Sequence, residues 1–116
     1  MFKTSLSLKT AKRDIIFLRD FICSHAQCLQ ECKPIESFVP YVPYQATGDK
    51  KKVLTYTISE EECKNLKASF DKDAEFNRGE SDQSWFGRIS YQGKMVGFYL
   101  GKSYYYETYW ARFWLE

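Results

Sequence analysis

The sequence predicts an α+β domain: two helices packed on an antiparallel sheet of three to five strands, ending in a C-terminal three-stranded meander. Three observations carry this. Two stretches repeat apolar residues at three- and four-residue steps, which is helical spacing. Several others alternate apolar and polar residues, which is strand spacing. The last three alternating runs are joined by short glycine-containing turns, so neighbours in sequence pair as antiparallel neighbours in space.

Taken in order, Met1 to Lys9 is weakly patterned and reads as a short strand or an ordered arm. Thr10 is a candidate N-cap. From Ala11, the residues Ile15, Leu18, Ile22, Ala26 and Leu29 form an apolar stripe, widened by Phe17 and Phe21. Pro34 ends it, giving a first helix over Ala11 to Cys32. Phe38 to Tyr44 is extended. Pro40 and Pro43 each lack a ladder donor, so the segment is expected at a sheet edge or in a polyproline-type arm. Thr47-Gly48-Asp49 is a turn signal, and Leu54, Tyr56 and Ile58 then share one side of a strand.

Ser59-Glu60-Glu61-Glu62 is the clearest local signal. Ser59 can accept from the amide three residues on, and Glu62 can return the bond. Three carboxylates in the first turn also suit the positive end of the helix. The second helix is predicted over Glu60 to Phe76, with Cys63, Leu66, Phe70 and Ala74 inward; Asn77 to Ser84 reads as a loop. The meander strands are Trp85 to Tyr91, Met95 to Leu100 and Tyr104 to Leu115, with Gln92-Gly93 as a tight turn.

The chain of 116 residues suits one domain over 1–116. No apolar run approaches the ~20 residues of a membrane span, and no export signal is read, so a cytoplasmic protein with reduced thiols is expected. Net charge is only +2, too small to require a polyanionic partner. Residues 53–82 carry four basic and eight acidic groups, which makes the second helix an acidic surface.

Cys23, His25, Cys28, Cys32 and Cys63 are the one set with metal-ligand chemistry. Paired CxxC knuckles are missing, so core and surface roles are expected for them, with no metal or cofactor. His25 is a helical neighbour of Cys28 and Cys32 but not in register for attack on a substrate, no GxSxG, phosphate-cradling loop or HExxH motif is present, and a binding role is expected rather than catalysis.

Aromatic residues are 18% of the chain, and twelve of the 21 lie in residues 85–116. Alternation assigns Trp85, Ile89, Val96, Phe98, Leu100, Tyr109, Ala111, Phe113 and Leu115 to a core side. The other side receives Phe86, Arg88, Tyr99, Tyr104, Tyr106, Trp110, Arg112 and Trp114. Tyr, Trp and Arg are the residue types that anchor protein interfaces. The binding residues expected are therefore Arg88, Tyr99, Lys102, Tyr104, Tyr106, Trp110, Arg112 and Trp114. The expected function is a small protein-binding module, an inhibitor or immunity-type protein that occludes a partner protein. The alternative is a single-stranded nucleic-acid-binding module or metal-free nuclease using the same face. A second alternative buries that face under the first helix or the proline arm.

Overall fold

The computed structural model describes the backbone of residues 2–42, 45–80, 84–102 and 108–116, and side chains within 12–37, 52–72, 84–102 and 108–116. The chain runs α1 (Phe2–His25), a 3₁₀ turn (Gln27–Leu29), β1 (Ile35–Val42), β2 (Gln45–Ile58), α2 (Glu60–Asp73), β3 (Ala74–Glu80), β4 (Ser84–Tyr91), β5 (Lys94–Lys102) and β6 (Tyr109–Leu115). The expected α+β class is present: two helices on an antiparallel sheet that ends in a meander. The sheet has six strands in the order β1-β2-β6-β5-β4-β3.

Several element boundaries differ from expectation, each for a local reason. Helix α1 starts at Phe2, so the residues from there to Lys9 are helical rather than a strand or arm, Met1 lies outside the described residues, and Thr10 lies inside the helix. It stops at His25 rather than Cys32, because Ala26 leaves helical geometry at φ −139° and ψ 57°. The chain then tightens into the 3₁₀ turn, whose similar period returns Leu29 to the core. Helix α2 ends at Asp73, and the segment read as its last turn and a loop is strand β3. Its polar sequence hides it. An edge strand needs only backbone pairing, and β3 holds β4 through two register shifts. The Pro40 segment is edge strand β1, as one of the two expectations had it, while Pro43 and Tyr44 lie outside the described residues. Its pairing with β2 shifts register between Val39 and Tyr41, where Pro40 has no amide to give.

Local signals at two other places act as read. Ser59 Oγ accepts from the Glu62 amide at 3.1 Å, and Glu62 Oε1 accepts from the Ser59 amide at 3.0 Å. Gln92 and Gly93 both adopt positive φ, at 48° and 80°, which is the turn geometry that matches the twist of flanking strands.

Both helices pack on one side of the sheet. Leu18, Phe21 and Ile22 of α1 and Leu66 and Phe70 of α2 share a single buried cluster with Leu54, Tyr56, Trp85, Ile89, Val96, Phe98, Leu100 and Phe113. Phe70 sits at its centre, edge-on to Phe98 with ring centres 5.1 Å apart. Cys63 belongs to this cluster as a small apolar residue; burial raises its thiol pKa, against the smaller opposing influence of Lys67. Leu115, assigned to the core side, is only partly buried. Among the described residues no helix is long and apolar enough to cross a membrane.

Candidate functional site: the helix-free face of the sheet

Period-two alternation along β2, β4, β5 and β6 puts a second set of side chains on the face away from the helices. The register lines them up in rows. Thr55 of β2 pairs with Arg112 of β6, Arg112 with Tyr99 of β5, and Tyr99 with Phe86 of β4. On one side of this row, Thr57 pairs with Trp110, and Trp110 with Gly101. On the other, Val53 pairs with Trp114, Trp114 with Gly97, and Gly97 with Arg88. Arg112 is thus flanked on its own strand by two tryptophans.

The residues of this face differ in how much they leave open. Trp110, Arg112, Tyr99, Phe86, Arg88 and Lys102 are half-buried. Trp114 is 1% exposed and forms a second, smaller cluster with Val53, against which Tyr99 packs. It lies on the expected side, yet its indole is enclosed, which corrects its place among the contact residues. Tyr104 and Tyr106 lie outside the described residues.

The polar groups are arranged around Arg112. Its Nε donates to Thr55 Oγ1 at 3.1 Å, and its guanidinium carbon stands 5.5 Å from the Trp110 ring centre. Burial pulls its pKa below the ordinary value, and Tyr99 is a smaller opposing influence. The group still stays charged, since arginine ordinarily titrates above pH 12. Tyr99 donates its hydroxyl to the Lys102 carbonyl at 2.9 Å, and burial raises its pKa. Arg88 is ion-paired: its Nε lies 3.0 Å from Glu116 Oε1.

No family model, curated protein or solved structure matches this chain. Function is therefore read from the chemistry of the site. Sequence reasoning missed Thr55, Val53 and Gly97. Their roles depend on β2 lying beside β6 and on β5 passing under Trp114, and both are pairings of residues far apart in the sequence.

The cysteine and histidine set does not come together. All four cysteines are free thiols, with Cys23, Cys28 and Cys32 exposed and Cys63 buried. The His25 ring stacks on Phe21 at 4.6 Å between centres and meets Tyr91 edge-on at 5.4 Å. Among the described residues no three His, Cys, Asp or Glu side chains are grouped to hold a metal ion.

Proposed function

We propose that the chain is a protein-binding module that acts by covering a partner's surface, in the manner of an inhibitor or immunity protein, through the helix-free face of β4, β5 and β6. The observation that carries this reading is the placement of Trp110 and Tyr99 beside Arg112. Both helices lie on the other face, so these half-buried side chains form a rigid amphipathic patch. Large planar side chains on a sheet lose little conformational freedom on binding, and Trp, Tyr and Arg dominate interface energetics. Charge complementarity names the partner's character: the patch is cationic, so the facing surface is acidic.

A photo-crosslinking residue at position 110, compared with one at exposed Ile16 on α1, tests this. The expected result is one protein captured from position 110 alone. That protein, once purified, binds the wild type and binds Trp110→Ala at least about tenfold more weakly. Equal capture from both positions, or equal affinity for both proteins, removes the reading.

The nucleic-acid reading rests on the same Trp110–Arg112 contact, since bases stack on aromatic rings beside arginine. A backbone track needs several open cations, and Arg88 on this face is held by Glu116. Retention of oligothymidylate on a filter at low salt, lost at high salt, would favour it.

A further inference from the structure

On the helix-free face, Arg112 stands beside no acid among the described residues. Its Nε is fixed by Thr55, and Trp110 stacks near its guanidinium carbon. Among the described residues no carboxylate meets it. The remaining guanidinium donors form a planar fork whose geometry matches a carboxylate.

A half-buried charge that meets no counter-charge among the described residues is an unfavourable arrangement. Folding strips water from it and gives back one neutral hydroxyl and a ring face. Three other cations of the described residues are held by acids. Arg88 pairs with Glu116, Lys52 with Glu36 and Lys64 with Glu60. A Thr55-anchored arginine beside a tryptophan is pre-organised, so little freedom is lost when an anion arrives.

We propose that Arg112 is the receptor for a single carboxylate of the partner, an Asp or Glu side chain of an acidic segment laid across β2, β6 and β5. This deepens the protein-binding reading and rests on it. The chemistry favours a carboxylate over a phosphate chain for a stated reason. One fork set among Trp110, Tyr99 and Thr55 offers two parallel donors at one point, whereas a nucleic-acid strand repeats its charge and needs a row of cations. Lowered solvation of Arg112 strengthens the pairing, because the same charge interacts more strongly away from water.

The test follows the Arg112 Nε–Hε resonance by nitrogen-edited NMR. An end-blocked oligoglutamate peptide is titrated in, with end-blocked oligoglutamine and oligothymidylate as the other arms. Oligoglutamate is expected to move this resonance and oligoglutamine to leave it still. Arg112→Gln is expected to weaken oligoglutamate binding about tenfold or more, with Arg112→Lys also weakened because it keeps the charge and loses the fork. Lys64→Gln, on the exposed face of α2, is expected to bind as the wild type does. No shift with oligoglutamate, equal weakening by Lys64→Gln, or a response to oligothymidylate alone each overturns the carboxylate site. The crosslinked partner separates the two levels. If it requires Trp110 and tolerates Arg112→Gln, the carboxylate site fails and the surface reading stands. If it tolerates both Trp110→Ala and Arg112→Gln, the surface reading fails and the carboxylate site falls with it.

Discussion

The Trp114 indole lies directly against the backbone of Gly97, its register partner across β5 and β6. A Cβ on residue 97 would run into Nε1 and Cε2 of Trp114. Only a residue without a side chain lets the indole lie flat and close the cluster with Val53. Gly97→Ala is therefore expected to destabilise by about 1–3 kcal/mol, the usual penalty of overfilling a packed site. Trp114→Phe in the same chain removes the atoms that clash, so the two changes together are expected to cost less than their sum. Urea unfolding of both single variants and the double variant measures this; additive losses would mean that the two side-chain positions do not compete for space.

Trp110 and Trp114 share a strand and a side but differ in kind. Trp114 is enclosed, while Trp110 is half-buried beside Arg112. Trp114→Ala is expected to lose about 3–5 kcal/mol, as deletions of large buried aromatics do. Trp114→Phe costs less, because the indole Nε1 is buried without an acceptor among the described residues and its removal relieves that group. Trp110→Ala is expected to keep the fold with a far smaller loss. Thermal unfolding followed by near-ultraviolet circular dichroism distinguishes the two; equal losses would contradict the difference in burial.

The reciprocal bonds between Ser59 and Glu62 start helix α2. Ser59→Ala leaves the Glu62 amide without its acceptor and is expected to cost about 1 kcal/mol. Glu62→Gln keeps an acceptor and loses the favourable charge at the helix start, so its cost is expected to be smaller. Chemical denaturation reads both. The i, i+4 pair Glu60–Lys64, at 3.5 Å and exposed, adds little, and Lys64→Gln is expected to shift the midpoint hardly at all.

Tyr91 fastens the β4–β5 end of the sheet to α1. Its hydroxyl donates to Asp20 Oδ2 at 2.5 Å and lies 3.2 Å from Ser24 Oγ, while its ring meets Phe17 and Phe21 edge-on. The bond to Asp20 raises the Tyr91 pKa, with the Ser24 bond opposing. A folded-state value above the ordinary one, near 10, means the contribution is complete below that pH and is lost as pH rises through the folded value. Tyr56 and Tyr99 are raised by burial and act in the same direction. Stability is therefore expected to fall on the alkaline side above about pH 10. Tyr91→Phe lowers stability at neutral pH and flattens that alkaline fall. An unchanged alkaline limb in the variant would remove Tyr91 from the account.

Much was legible where the signal was local. The 59–62 cap, the Gln92-Gly93 turn, the edge position of the Pro40 strand and the core side of the meander all follow from residues within a few positions of one another. Helix α1 shows the limit. Its stripe runs through Leu29, but the break at Ala26 is invisible to periodicity because a 3₁₀ turn keeps nearly the same spacing. Strand β3 was illegible because its polar residues satisfy a sheet edge without any alternating pattern.

The aromatic and arginine set on one side of the meander was determined by the sequence, because strand side chains must alternate. What the tertiary structure decided is which of them remain partly open. Both helices chose the aliphatic face, since that is where apolar area could be buried. Strand β2 came to lie beside β6, and only that long-range pairing brought Thr55 to the Nε of Arg112 and Val53 to the ring of Trp114. Alternation assigns a residue to a side. Whether it is enclosed like Trp114 or left half-open like Trp110 and Arg112 depends on strands and glycines that lie elsewhere in the chain.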